Sequence, residues 1–443
     1  MFHGNSITRR DVLKAGTAAV GSLMLAPANM SWAGTDDATP VRIGWIGVGR
    51  RAKGLLAILL SLKGVEVPAV CDTNAAAAEY GQTLVVDSGR AKPELYTRGE
   101  EDYRRLMDRA DLDAVIIAAP WECHTPMAVC AMKAGKYVGV EVPCAITPDE
   151  CWELVKTYEA TGVPCMMLEN WSFRRDNLAV LNMIRKGLFG EIVHCHCAHS
   201  HNCIGGSDFF FDHNAQGKPR WSSKYLLQRN ADQYPTHSLG PVLSWMDINC
   251  GDRFDYVVSM SSRSLGIKDQ LERRYGEDFA PAKLPYRQGD IVTTMVKTVK
   301  GNTIVINWDM QLPRPYDNRW LIQGTRGLYN EQRNAVFIAD ADRKPEEWEP
   351  FPPYQAKYEH SMSKNVPETQ QEHGGADVVE LREFVRAVRN KTQTPLDVYD
   401  SVVMSVIVPL SEQSIAAGST PVKCPDFTSG KWKTTKPKFA VDG

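Results

Sequence analysis

The segment Gly47-Val48-Gly49-Arg50-Arg51-Ala52 constrains the fold more than any other part of the chain. It follows a short apolar stretch, Val41 to Ile46, and runs into a helical pattern through Leu62. A strand that turns on glycine straight into a helix leaves free N–H groups of the helix beside the turn, where an anion is stabilised. Gly47 permits the tight turn. Gly49 has no side chain to block a pyrophosphate, and Ala52 lets helix and strand pack closely. A second strand, Val65 to Cys71, ends at Asp72, the acidic residue expected about 20 positions on. Its carboxylate would bond ribose hydroxyls and repel a 2′-phosphate, so the motif predicts a dinucleotide site that prefers NAD to NADP. Arg50 and Arg51, beside the turn, are the groups able to accept such a phosphate.

The pattern continues in the same rhythm. Helical stretches (an Ala-rich one after Asp72, Glu100–Arg109, Pro126–Ala134, Asp149–Thr161) alternate with apolar strands at Ala114–Ala119, Tyr137–Glu141 and Pro164–Leu168. Strands alternating with helices predict a Rossmann-type, doubly wound parallel sheet of the α/β class. After Leu168 the rhythm changes. A helix at Asn177–Gly187 leads to strands at Glu191–His201, Tyr256–Ser262, Asp290–Val299, Asn302–Asp309 and Trp320–Gly324, with turn signals such as Lys300-Gly301-Asn302 between them. This predicts an α+β domain with a large, mostly antiparallel sheet, closed by helices at Val378–Asn390 and Tyr399–Ala417. The expected division is 1–33 as a leader, 34–168 as the nucleotide-binding domain and 169–443 as the substrate-binding domain.

Residues 1–33 read as a twin-arginine export signal: Thr8-Arg9-Arg10-Asp11-Val12-Leu13-Lys14, an apolar stretch from Ala15 to Ala26, and a small-x-small site at Ser31-Trp32-Ala33. Past it, no run of about 20 apolar residues reads as a membrane span. A formal net charge of −2 gives no reason to expect a nucleic-acid partner or an anionic membrane surface. The eleven cysteines are odd in number and contain no Cys-x-x-Cys. A protein folded in a reducing cytoplasm before export would keep most of them as buried thiols.

Two further loops fall at the carboxyl ends of strands, where open sheets bind ligands: Ala119-Pro120-Trp121-Glu122-Cys123-His124-Thr125-Pro126 and Glu141-Val142-Pro143. The run His194-Cys195-His196-Cys197-Ala198-His199-Ser200-His201 resembles a metal cluster, but same-face residues of a strand lie about 7 Å apart, too far for one ion to reach. No metal is expected; one face of this strand is expected to border the substrate pocket.

The order of glycine turn, Pro-x-x-x-His loop and Glu-x-Pro turn ahead of a second sheet resembles the Gfo/Idh/MocA superfamily, with Val142 where most members carry lysine. Longer strings resemble glycoside hydrolase family 109: Trp121 to Val129, Met132 to Val142, Met167-Leu168-Glu169-Asn170, Gly187 to His194, Tyr234-Pro235-Thr236-His237, Leu312 to Tyr316 and Pro409 to Ala416. The resemblance implies that Arg50, Arg51, Asp72, Trp121, Glu122, Cys123, His124, Glu141, Val142 and Asn170 line NAD. It implies a sugar site at Tyr234, Pro235, Thr236, His237 and Tyr316, with His199 and Ser222 at substrate positions. Family members carry tyrosine in place of Phe173 and His199, and arginine in place of Ser222, so a changed sugar preference is expected.

The implied activity is a redox-neutral glycosidase like the α-N-acetylgalactosaminidases: oxidation at sugar carbon 3, loss of the carbon-2 proton, departure of the aglycone, addition of water and re-reduction. His237 is expected at the carbon-3 hydroxyl, with Tyr234 and Tyr316 in proton transfer or orientation and His199 as a substitute carbon-2 base. Rival readings are an exported sugar oxidoreductase with a tightly held cofactor, disfavoured by Val142, and a non-catalytic carbohydrate-binding protein. The resemblance also implies a homo-oligomer through the outer face of the second sheet.

Overall fold

The computed structural model describes residues 39–339, 347–364, 366 and 372–441. The expected leader lies outside them. β1 (Val41–Ile46) is the spine of the first sheet, mostly apolar and almost wholly buried, as a central parallel strand must be. β2 (Val65–Cys71) and β3 (Glu94–Tyr96) follow on one side. β4 (Ala114–Ile117), β5 (Tyr137–Val140) and β6 (Cys165–Met167) follow on the other. The order is β3-β2-β1-β4-β5-β6 and every pairing is parallel. Chain order reverses between β1 and β4, so their carboxyl ends border the crevice in which such sheets bind ligands.

The helix ends are written locally. Asn74 accepts from the N–H groups of Ala76 and Ala77 to start Ala75–Asp87. Thr147 and Glu150 form a reciprocal capping box for Pro148–Thr161, and Gly162 closes that helix in the left-handed region. The helix expected from Pro126 instead starts at Trp121 and carries Pro126 inside it. His124 and Thr125 explain this: their side chains reach the carbonyls of Ala119, Pro143 and Cys144 and hold the first turns in place.

The second sheet comprises β7 (Ile192–Ser200), β8 (Phe254–Ser261), β9 (Val292–Thr298), β10 (Thr303–Asp309), β11 (Leu321–Gly324), β12 (Gly327–Asn330), β13 (Ala335–Ile338), β14 (Glu349–Pro350) and β15 (Val422–Lys423). Their order is β14-β13-β12-β11-β7-β10-β9-β8-β15. β7 and β10 pair in parallel, and the other pairings are antiparallel. Period-two alternation sets its faces. Cys195, Cys197 and His199 are buried, while His194 and His196 lie on the other face and meet Thr303 and Asn307. All eleven cysteines are free thiols, and eight are buried.

Two of the C-terminal helices reach the first sheet, while Ile407–Ala416 stays with the second, where Ser414 Oγ accepts from Ser259 N of β8 at 2.9 Å. In Ala376–Asn390, Phe384 is fully buried against Gly139 of β5, and Arg389 donates to the Gly64 carbonyl at 2.9 Å. In Val398–Ser405, Ser401 Oγ accepts from Met167 N at 3.0 Å and Ser405 Oγ from Cys144 N at 3.2 Å. One apolar core therefore runs through both sheets. The single closing helix expected at Tyr399–Ala417 is two, Val398–Ser405 and Ile407–Ala416. Pro409, which lacks an N–H, sits in the first turn of the second, where none is needed.

Candidate active site

The glycine turn is shaped for a close approach. Gly47 has φ +86°, and a Cβ there would lie 2.4 Å from the Ala118 carbonyl oxygen. A Cβ on Gly49 would meet nothing within 4 Å, so open space lies above the turn. The helix Arg50–Ser61 begins there with no side-chain cap and no acidic residue in its first turn, which leaves its N-terminus free for an anion. Asp72 is fixed by Val48 N and Asn74 N, each 2.7 Å from its carboxylate. Asn170 is buried at the end of β6, and its Oδ1 has no hydrogen-bond partner among the described residues. An open anion cradle, a fixed acid and an orphaned buried acceptor fit a dinucleotide.

Arg51 turns away from the cradle into a buried ion network. Its Nε meets Glu141 Oε1 at 2.9 Å, and its two terminal nitrogens meet Asp377 at 2.6 and 2.9 Å. Asn170 Nδ2 donates to the same Asp377 carboxylate at 2.8 Å. Burial would raise the Asp377 carboxyl, but Arg51 and His373 hold it well below the usual carboxylate range. Arg50 is exposed. Val142 is buried, at a cis bond to Pro143.

Beside this network lies a pocket of aromatic and imidazole rings. Tyr234 precedes the helix Pro235–Trp245, which Pro235 opens at its first position. One helical turn brings His237 and Tyr234 to 4.9 Å between ring centroids. His199, from β7, stands 4.9 Å from Tyr234, 5.1 Å from His237 and 5.6 Å from Tyr316. Tyr316 is 41% exposed and packs on Trp171 and His201. The structure thus brings together Tyr234 and His237, His199 and Tyr316 from three separate stretches of sequence. Thr236 is fully buried, and its hydroxyl has no partner among the described residues.

His237 is held by a residue to which the sequence reading gave no role. Glu169, wholly buried just past β6, places Oε1 2.8 Å from His237 Nδ1. Its other oxygen accepts from Ser172 N at 2.9 Å and Ser172 Oγ at 2.7 Å. Burial lifts the Glu169 carboxyl to about 7, although Ser172 and the Trp171 N–H oppose the shift. Burial also pushes His237 well below its usual value, and His373 and Arg51 add to this. The carboxylate fixes Nδ1 and leaves Nε2 as the free nitrogen of a neutral ring. Gly240 makes the pair possible: a Cβ there would lie 1.8 Å from Glu169 Oε2. A carboxylate at the end of the last parallel strand was the available signal for Glu169. Asp377 and His373, more than 130 residues later in sequence, gave none.

Four expected ligand contacts are occupied within the protein. The Ser222 hydroxyl donates to the Phe209 carbonyl and is fully buried. Both ring nitrogens of His124 face carbonyls, Pro143 at 2.7 Å and Ala119 at 2.8 Å, so this residue ties the two cofactor loops together. Glu122 accepts from Lys224 Nζ at 2.5 Å and Tyr225 OH at 2.6 Å, a clasp between the start of helix Trp121–Lys133 and the second domain. The Glu141 carboxylate meets Arg51 and its neighbouring Val142 N. Trp121 is buried among Tyr225, Trp221, Phe209 and Tyr234. Cys123 is half-buried, and burial raises its thiol. Among the described residues, no three His, Cys, Asp or Glu side chains converge as they would on a metal ion.

Comparison with known proteins agrees with this layout. Residues 41–169 match the model of the oxidoreductase family with an NAD-binding Rossmann fold, and residues 173–434 match the C-terminal domain of glycosyl hydrolase 109. An alpha-N-acetylgalactosaminidase of Tannerella forsythia is 37% identical over 98% of this chain and 99% of its own length. A glycosyl hydrolase family 109 protein of Shewanella pealeana is 42% identical over 90% of this chain and 87% of its own. The fold resembles scyllo-inositol dehydrogenase from Lactobacillus casei, solved with NAD(H) and scyllo-inositol: TM-score 0.60 at 14% identity, covering 87% of this chain and 99% of that one. With an NAD-binding Rossmann domain followed by that C-terminal domain, the chain belongs to glycosyl hydrolase family 109.

Proposed function

We propose that this protein is an exported glycosidase that cleaves by redox-neutral elimination, and that the Glu169–His237 pair is its catalytic centre. The observation that carries this reading is the neutral, carboxylate-held imidazole of His237, set between the dinucleotide crevice and the ring-lined pocket. Gly47, Gly49, Asp72, Asn170 and the N-terminus of helix Arg50–Ser61 would hold NAD. When bound, NAD supplies a hydride acceptor for sugar carbon 3 and returns the hydride at the end of the cycle. His237 Nε2 takes the carbon-3 hydroxyl proton, while Glu169 keeps Nδ1 oriented. Tyr234 stays neutral, because burial pushes its phenol up, and with Tyr316 orients the sugar by hydrogen bonding. The carbon-3 ketone acidifies the carbon-2 proton. His199, kept unprotonated chiefly by burial, accepts it.

The first experiment incubates purified protein, with no added NAD, with α- and β-nitrophenyl glycosides in deuterated water. Aglycone release with deuterium at carbon 2 is expected, and the panel names the sugar. Absence of both release and exchange would overturn the reading. H199F with unchanged carbon-2 exchange would remove His199 as the base. Export is supported by the leader Thr8 to Ala33 and is checked by cell fractionation, where a lysine pair at Arg9 and Arg10 should trap the protein inside. A homo-oligomer is supported by the outer face of the second sheet. There Leu321, His196, Val305, Met295 and Val258 lie in register across five strands, and Met295 is 51% exposed. Light scattering of wild type and M295K tests it.

A further inference from the structure

Residues that build the site share one short turn. Glu169 caps a 3-10 turn, Asn170–Phe173, by accepting from Trp171 N and Ser172 N. Glu169 also holds His237, and Asn170 offers its orphaned Oδ1 to the crevice. The Trp171 indole packs on His237 at 5.9 Å and on Tyr316 at 5.7 Å. A turn this short has few hydrogen bonds of its own, and their geometry is poor, so side chains at its ends set its place. Glu169 fixes the first end. Phe173 forms the other; it is fully buried, and its ring meets that of Phe439 edge-on, with centroids 5.2 Å apart.

Phe439 is itself gripped from several elements. Arg185, at the end of helix Arg175–Arg185, donates one terminal nitrogen to the Phe439 carbonyl at 2.5 Å and the other to the Ala440 carbonyl. His360 is fully buried. Its Nδ1 accepts from Met362 N at 3.1 Å, so Nε2 carries the proton and donates to the Ala440 carbonyl at 3.0 Å. Ala440 has φ +49°, in the left-handed region that a residue with a Cβ adopts only where its surroundings hold it. Lys438 pairs with Asp397, a carboxylate 3% exposed that caps helix Val398–Ser405. Ser401 of that helix accepts from Met167 N at 3.0 Å, just ahead of Glu169. Residues 438–440 therefore meet the turn from two sides, through Phe439 at Phe173 and through Lys438 and the helix that braces β6.

Apolar burial alone would leave the Phe439 ring free to shift. Directional bonds from Arg185, His360 and Lys438 on three successive residues fix its position instead, and the cationic ones are the stronger kind. None of these groups touches the reacting atoms.

We infer that residues 438–440 are a clamp for the catalytic turn and that Phe439 is a positioning residue for Glu169, Asn170 and Trp171, an inference that rests on the Glu169–His237 reading above. Without the Phe439 ring, the Phe173 end is released and the turn pivots about Glu169. Trp171 then moves against His237 and Tyr316, and Asn170 moves in the crevice. A displacement of about 1 Å made far from the chemistry costs up to about 10²-fold in rate.

The test compares wild type, F439A, F439L, R185K and F427A on a nitrophenyl glycoside of the accepted sugar, with NAD retained after dialysis measured on each. Phe427 is the control: it is buried against Trp152 at 4.8 Å, so its loss opens a cavity of the same size beside helix Pro148–Thr161. F439A should lower kcat by about 10–10²-fold with KM changed about twofold or less, and should retain less NAD than F427A. F439L, which refills most of the space, should recover most of the loss. R185K opens no cavity beside Phe173 but cannot span two carbonyls, and should lower kcat a few-fold. Wild-type kcat in F439A, or an equal loss in F427A, would overturn the inference. Should F439A fail to fold, an unchanged kcat in R185K overturns it as well. Absence of carbon-2 exchange in wild type would instead sink the elimination reading, and the clamp would then stand or fall on whether F439A retains less NAD than F427A.

Discussion

Gly240→Ala should change the sign of its effect according to what stands at position 169. The three nearest heavy atoms to a Cβ at Gly240 all belong to Glu169: Oε2 at 1.8 Å, Cδ at 2.4 Å and Oε1 at 3.0 Å. Contacts below 3.0 Å are essentially never tolerated, so the carboxylate must move by more than an ångström. It sits in a wholly buried site between Ser172 and His237 and has nowhere to go without breaking those bonds. Overpacking costs about 1–3 kcal/mol, and a lost charge-assisted hydrogen bond about 1.5–3 kcal/mol. Gly240 lies inside the helix Pro235–Trp245, where alanine is otherwise favoured by about 1 kcal/mol. G240A should therefore destabilise wild type by roughly 2–4 kcal/mol and abolish carbon-2 exchange. In an E169A background the space is vacant, and the same substitution should be neutral or stabilising by up to about 1 kcal/mol. Denaturant unfolding of the four proteins measures the cycle. Equal effects of G240A in both backgrounds would refute the claim that Gly240 exists to admit Glu169.

Three further outcomes follow from the same geometry. Glu169 is lifted from 4.5 to about 7, so the fold favours its protonated form; that contribution is full below about pH 4.5 and is lost as pH rises through about 7. Relative to E169Q, wild type should lose about 3 kcal/mol over that interval, and parallel pH–stability curves for the two proteins would contradict it. E122Q weakens the clasp to Lys224 and Tyr225, whose ion pair is part-exposed and contributes about 1 kcal/mol or less to stability. The loss should appear instead as NAD released on dialysis, and unchanged NAD content would count against the clasp. S222A leaves the Phe209 carbonyl unpaired and should cost about 1–2 kcal/mol in unfolding with KM unchanged; a KM shift of about tenfold or more would restore Ser222 to the sugar site.

The nucleotide crevice was legible because its determinants are local. Gly47, Gly49 and Ala52 sit within one turn, and Asp72 ends the adjacent strand. The pocket was half legible. Tyr234 and His237 share one helical turn, and the family strings carried Tyr316 and His199. The partners that set their chemistry were not, since Glu169 reaches His237 and Gly240, and Asp377 reaches Arg51, only through the tertiary fold. Pro126 misled in the other direction. Proline inside a helical pattern signals a boundary, yet here side-chain bonds from His124 and Thr125 to neighbouring strand ends override it. Glu122 stays open in the sequence for a similar reason: a carboxylate at a helix start faces a ligand or a neighbouring domain equally well, and its contacts with Lys224 and Tyr225 arise only in the fold.

The return of helix Ala376–Asn390 to the first sheet has a consequence for how the protein is made. A ribosome that has finished β6 has made a nucleotide domain with β5 uncovered where Phe384 will pack and Arg51 without Asp377. That nascent domain waits through some 200 further residues before its own last helix emerges. The chain therefore cannot mature one domain at a time. Until then its apolar sheet face is open to aggregation, and a message cut short before Ala376 leaves β5 without Phe384 and Arg51 without Asp377.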